Sequence, residues 1–282
     1  MSVSRLRELL AGERRFTSPF LMLGDPTPDA SVQLACALVQ AGAGMLELGL
    51  PYADPSADGP AVQAAGERAR AAGVSTDQAL EVLARIRAAC PETPCNLLVY
   101  GNLVHARGYQ RFCKDAVAAG ASSLLVPDVP LEEGEPLRHA CREQELGVVL
   151  LCGPRTPEAR LDTIAQASDA FVYLAGHQGI TGAKAADRDA RRALCERVVA
   201  RLSVPRKVPL CVGFGLRTRE DVADVHASGA HLAVVGSHLL RALEAAWQAQ
   251  PGDADACCQA VVSTFQSLLP ATPRREESSS CS

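Results

Sequence analysis

The chain reads as an α/β fold: a (β/α)8 barrel with an extra N-terminal helix and additional helices in the connections after the second and eighth strands. Three observations lead there. Eight short apolar runs recur along 282 residues. Helix-length segments with a 3.6-residue apolar period separate them. Three helix-to-strand junctions repeat one pattern, as a chain built from one repeated unit would. Most of the apolar runs are continuous rather than alternating, which suits parallel strands covered by helices.

The expected strands, in order, are PFLMLG (19–24), GMLELG (44–49), CNLLVY (95–100), SSLLVP (122–127), GVVLLC (147–152), DAFVYL (169–174), VPLCVGF (208–214) and HLAVVGS (231–237). The helical period is clear in DASVQLACALVQAG, TDQALEVLARIRAAC and PEARLDTIAQA. The repeated junctions are QAGAGMLEL, AAGASSLLV and ASGAHLAVV. They place Gly42, Gly120 and Gly229 just past a helix end, where a left-handed residue closes the last turn. Strand starts are mostly twenty-odd residues apart. The gaps after the second and sixth strands are longer, and both leave from strand C-terminal ends, where barrel enzymes carry their sites.

Length suits one barrel of about 250 residues. The expected domain is 1–270, with ATPRREESSSCS (271–282) a disordered tail of small, polar and charged residues. Lys and Arg number 28 against 32 Asp and Glu, a net charge of −4 with no basic stripe, so no nucleic-acid partner is expected. No apolar run approaches the ~20 residues of a membrane span. Arg5, Arg7, Glu8 and Arg14 interrupt the first segment, so no secretory signal is expected. The 11 cysteines show no paired spacing apart from the adjacent Cys257 and Cys258, which fits reduced thiols in the cytoplasm. Neither CxxC nor HExxH occurs, and no metal site is expected.

Glu47 is the anomaly of the second strand. Side chains alternate faces along a strand, so Leu46, Leu48 and Leu50 face the helices while Met45, Glu47 and Gly49 face the barrel axis. A carboxyl buried there has a raised pKa and can serve as a general acid or base. The competing reading is a structural Glu bonded to a neighbouring backbone or Arg. Asp58, in SADGP, can approach the same cavity from a loop, although Asp-Gly-Pro is also turn chemistry. Asp54 reads as a turn or surface residue.

Glycines mark a second feature. GFG (213–215) follows the seventh strand, GS (236–237) follows the eighth and opens a helix, and GITG (179–182) lies in the long sixth connection. Backbone N–H groups and a helix N-terminus at such places bind phosphate in many barrels. Tyr173 ends the sixth strand on the face of Phe171, as core or as cavity wall. His105, His226 and His231 read as solvated or structural, and His177 as part of the sixth loop.

These residues resemble the tryptophan synthase α subunit family. The likeness is carried by PFLMLGDP (19–26), MLELGLPYADPSADGPAVQAA (45–65), LLVYGNLV (97–104), VPDVPLEE (126–133), YLAGHQGITG (173–182), GFGL (213–216) and VGSHLL (235–240). It spans about residues 3–268 in the family's order. The resemblance implies a TIM barrel lyase that splits indole-3-glycerol phosphate into indole and glyceraldehyde 3-phosphate without a cofactor of its own. Glu47 matches the acid/base glutamate that protonates indole C3, and Asp58 the aspartate that hydrogen-bonds the indole N–H. Tyr173 matches the tyrosine beside the glutamate. Phe20, Leu98 and Asp128 match pocket-wall positions. Thr181 matches a substrate-binding position, and Gly182, Gly215, Gly236 and Ser237 match those around the phosphate.

The resemblance further implies a pyridoxal-phosphate β subunit as partner in an α2β2 heterotetramer. It would dock on segments 51–58, 102–107 and 130–133 and receive the indole. Two departures stand out. Gly176 and His177 occupy positions where many members carry Ser and Arg, and Gly176 would add backbone freedom to the closing loop. The tail also runs past the usual end. Alternatives from the same residues are a free-standing lyase, an idle homologue that only binds a β chain, and a generic phosphate-binding barrel isomerase.

Overall fold

The computed structural model describes residues 3–176, 185–203 and 207–269. Its centre is a closed barrel of eight strands, β1 (Phe16–Met22), β2 (Leu46–Gly49), β3 (Cys95–Leu98), β4 (Ser123–Leu125), β5 (Gly147–Cys152), β6 (Val172–Leu174), β7 (Leu210–Val212) and β8 (Leu232–Val235). Every neighbouring pair is parallel, and β1 closes the ring by pairing Phe16 through Pro19 with Leu232 through Val235. Seven of the eight expected runs contain a whole strand, and the first, 19–24, overlaps β1, which begins earlier at Phe16.

Boundaries moved where proline chemistry decides them. Pro19 lies inside β1 rather than at its start. The residues before it, Phe16 to Ser18, pair with β8, and pairing to β2 begins only at Phe20. Because Pro19 has no N–H to donate, the changeover falls where the missing donor does least harm. β4 stops at Leu125, two residues short of Pro127.

The helices follow the expected plan. α1 (Val3–Ala11) precedes the barrel and buries Leu6 and Leu10. α2 (Pro28–Gln40) is capped by Thr27, whose side chain accepts from the Ala30 N–H, with Pro28 at its first position. The β2–β3 connection holds α3 (Pro60–Ala71) and α4 (Thr76–Ala89), the latter opened by a Ser75–Gln78 capping box. β8 is followed by α11 (Ser237–Ala249) and α12 (Ala254–Leu268). Gly42, Gly120 and Gly229 take φ of 107°, 106° and 93°, so all three junctions turn through the left-handed region as the repeat suggested.

One helix was not anticipated. The β3–β4 connection opens with α5 (Gly101–Arg107) before α6 (Tyr109–Ala119). Seven residues are too few for a visible period. What starts this helix is remote in sequence: Asp128 Oδ1 accepts the Gly101 N–H at 2.8 Å. The remaining connections carry α7 (Glu135–Glu143), α8 (Glu158–Ala167), α9 (Ala185–Leu202) and α10 (Arg219–Ala227). The tail 271–282 lies outside the described residues.

Register places the site. A continuous row crosses five strands, Phe20 with Glu47, Glu47 with Asn96, Asn96 with Ser123, and Ser123 with Gly147. Residues paired in register on parallel strands share a face. The row therefore brings one carboxyl, one amide and one hydroxyl side by side inside the barrel.

Candidate active site

Glu47 is fully buried, 0% exposed, on the barrel face of β2. Its Oε2 accepts the Tyr173 hydroxyl at 3.3 Å, and its Oε1 has no hydrogen-bond partner among the described residues. Burial pushes the carboxyl up from 4.5 to about 8, the nearby Asp58 charge pushes the same way, and the hydrogen bond from Tyr173 and the neighbouring Asn96 amide, which both favour the charged form, oppose it. Glu47 therefore carries its proton at neutral pH, as a general acid must. Among the described residues no Arg or backbone group bonds it, so the structural alternative does not describe these surroundings.

Tyr173 is the middle residue of β6 and is held well above 10 by burial and by Glu47, so it stays a hydroxyl donor. Room for that hydroxyl comes from β7. A Cβ placed on Gly213 would stand 1.8 Å from Tyr173 Oη, a separation no side chain tolerates. Gly213 is thus a glycine because of what lies over it. Tyr173 is buried with its hydroxyl on the acid.

Asp58 reaches the site from the loop after β2. α3 begins at Pro60 with Gly59 as its cap and no side-chain capping bond, so Asp58 has not been spent on a helix end. Burial raises its carboxyl from 3.8 to about 6, against a hydrogen bond with Tyr100. Tyr100 also steadies the loop: its hydroxyl accepts the Ala57 N–H at 3.0 Å, and its ring stacks on Tyr52 at 5.1 Å. Asp54 sits in the preceding turn, its carbonyl taking the Ser56 N–H.

The other expected positions fall into two groups. Phe20 lies between Gly49 and Gly236, since a Cβ on either glycine would press on it, at 2.8 Å and 3.3 Å. Leu98 ends β3, half-buried and paired with Gly49 and Leu125. Gly215 turns with φ 70° after β7, and Arg191 Nη1 donates to its carbonyl at 3.1 Å. Gly236 and Ser237 open α11, whose first turn has no side-chain cap, leaving backbone N–H groups directed at the barrel mouth. Arg217 and Arg241 bear electrostatically on His238 in that same turn, so the surroundings are positive. An uncapped helix start in a positive setting has the chemistry that suits an anion.

Asp128 is exposed, and the bond it makes is the one that starts α5. Thr181, Gly182 and His177 lie outside the described residues. Gly176 is described, and its reason differs from the expected freedom. A Cβ there would stand 2.2 Å from the Phe214 ring, while its φ is not left-handed. Close packing explains this glycine. His231 is buried and His226 contacts the Ala230 carbonyl, which fits structural roles.

A family model described as "Tryptophan synthase alpha chain" matches residues 6–268. The chain belongs to the tryptophan synthase alpha chain family. Among relatives bearing that name, the protein of Synechococcus sp. (strain CC9902) is 41% identical over 242 residues, covering 86% of this chain and 88% of its own. That of Nitrosococcus oceani is 38% identical over 96% of this chain and 99% of its own. In three dimensions the chain is similar to the tryptophan synthase α subunit of Legionella pneumophila (TM-score 0.81, 31% identity, 95% and 98% covered). It is also similar to a Pyrococcus furiosus structure described as the tryptophan synthase α2β2 complex (TM-score 0.78, 29% identity, 90% and 97% covered).

Reasoning from sequence missed Asn96, Ser123 and Tyr100, and it noticed Gly213 only as part of GFG, without its contact to Tyr173. A signal existed for the first. Asn96 is a polar residue inside CNLLVY, the same anomaly that drew notice to Glu47. The contacts of Tyr100 and Gly213 are tertiary and had no local trace.

Proposed function

We propose that this chain splits indole-3-glycerol phosphate into indole and glyceraldehyde 3-phosphate, as the α subunit of tryptophan synthase. One observation carries the reading: a fully buried carboxyl on β2, kept protonated past neutrality, in a barrel whose eighth strand runs into an uncapped helix start. Glu47 delivers its proton to indole C3, so the ring can accept the electrons of the breaking C3–C1′ bond. Asp58, on the opposite side, hydrogen-bonds the indole N–H as positive charge develops there. The carboxylate left on Glu47 then takes the proton of the carbinol hydroxyl as that carbon becomes the aldehyde. Gly215, Gly236 and Ser237, with Thr181 and Gly182 of the sixth loop, hold the phosphate; Phe20, Leu98, Asp128 and Tyr173 border the remainder.

The chemistry needs proton transfer and positioning, and the reading gives this chain no cofactor. Pyridoxal phosphate belongs to the β subunit, which docks on 51–58, 102–107 and 130–133. No described helix is long and apolar enough to cross a membrane, and the reading places the complex in the cytoplasm. The test is indole release from indole-3-glycerol phosphate by the purified chain, alone and titrated with a β subunit. Glu47→Gln should lower turnover by ~10²–10⁴-fold or more. Half of wild-type turnover in that variant would remove Glu47 from the mechanism. Full speed without any response to the β chain would make this a free-standing lyase.

A further inference from the structure

Two buried polar atoms face the same place with nothing to bond. Glu47 Oε1 and Asn96 Nδ2 both lack a hydrogen-bond partner among the described residues. They belong to residues paired in register on β2 and β3, both 0% exposed. Such orphans are rare inside proteins, because each leaves its desolvation uncompensated. The amide is not loosely held. Ser123, next in the row and also 0% exposed, donates its hydroxyl to Asn96 Oδ1 at 2.7 Å, which leaves Nδ2 for the other side.

We propose that Asn96 is a positioning residue for Glu47, its Nδ2, oriented by Ser123, donating to Oε1 of the carboxylate that forms when Glu47 gives up its proton. While Glu47 is protonated the amide stands ready and unpaired. Once the proton has left, a bare carboxylate in this interior needs donors. Tyr173 supplies one at Oε2, and Asn96 supplies the second at Oε1. The ionised acid is thereby held in the rotamer from which it next acts as a base. This rests on the lyase reading for its use, while the hydrogen bond itself does not.

The groups facing Glu47 are few. Tyr173 comes from β6, Cys211 from β7, Asn96 from β3 and Asp58 from the loop above. β1, β4 and β8 carry no ionisable side chain, and Cys152 of β5 answers to Arg197 and Cys195. Of these, Tyr173 and Asn96 are the neutral donors, and removing Asn96 changes no charge.

The experiment titrates Glu47 in the ligand-free protein by carboxyl 13C NMR, the signal assigned by its loss in Glu47→Gln. In Asn96→Leu, close to isosteric and without a donor, the midpoint should rise by about half a pH unit or more. The alkaline limb of kcat/KM should move up with it, because the acid form persists to higher pH. kcat should fall ~10-fold with KM little changed. Asn96→Asp, which keeps the shape and replaces the donor, should move the midpoint the same way and serves if the Leu variant does not fold. Ser123→Ala, which frees the amide to turn over, should give a smaller rise. An unmoved Glu47 midpoint in the folded Asn96 variants overturns the proposal. A moved midpoint in a protein that releases no indole would keep it and overturn the lyase reading instead.

Discussion

Glu47→Gln should make the protein more stable, and increasingly so as pH rises. The folded-state carboxyl titrates near 8 where an unfolded Glu titrates near 4.5. Below about pH 4.5 both states hold the proton, and the native state keeps whatever stability the neutral acid allows. Between 4.5 and about 8 only the folded state holds it, so each pH unit favours unfolding by about 1.4 kcal/mol. From pH 5 to pH 8 that amounts to about 4 kcal/mol, a large part of the 5–15 kcal/mol typical of a folded protein. Gln has the same shape and cannot ionise, so its variant does not follow this slope. Asp58 and His231 also titrate across the range, but they are present in both proteins and cancel in the difference. The assay is urea unfolding of both proteins at pH 5 and pH 8. The stability gap should open by several kcal/mol in favour of Gln. A gap that stays constant across those pH values would show that Glu47 is ionised in the fold, and the general-acid argument would go with it.

Gly213→Ala should displace Tyr173 from Glu47, since its Cβ would stand 1.8 Å from the hydroxyl; turnover should fall ~10²-fold, and Tyr173→Phe, which opens space instead, should fall less. Gly236→Val should raise KM, with weaker sulfate binding by calorimetry, because its side chain crowds both Phe20 and the first N–H groups of α11; unchanged sulfate affinity would place the anion elsewhere. Asp58→Asn should lose the acid limb of the rate profile. Wild-type activity should decline as pH falls through about 6, and a variant that keeps the limb would assign it to another group.

The barrel was legible because a parallel strand buried on both faces must be continuously apolar, and eight such runs at regular spacing leave few alternatives. The left-handed glycines were legible for the same kind of reason, each being forced by one local turn. Glu47 announced itself by breaking a run. Asp58 did not, since its loop sequence fits a plain turn equally well, and only its contact with Tyr100, 42 residues on, shows it drawn toward the site. Gly176 shows the converse error. Its local meaning was freedom, but the Phe214 ring across the barrel mouth makes it a matter of space. α5 was hidden because its starting donor is satisfied by Asp128, from the next strand's loop.

The two carboxyls are held by very different amounts of structure, and this bears on where a partner can act. Glu47 is fixed by the barrel itself. Its strand pairs on both sides, Tyr173 is seated by the space Gly213 leaves, and Asn96 stands in register beside it. Nothing docking on the barrel mouth reaches that row without disturbing the core. Asp58 hangs from a loop tied down by Tyr100 through Ala57, with Tyr52 stacked against the same ring. Tyr52 and Asp58 both belong to the segment proposed to meet the β subunit. A partner pressing on that segment therefore moves Asp58 relative to a stationary Glu47. A displacement of about 1 Å is enough to change rate ~10²-fold. On the proposed reading, activation by a β chain would come from bringing the loop carboxylate to the indole N–H, and the proton affinity of the buried acid would respond only through the Asp58 charge.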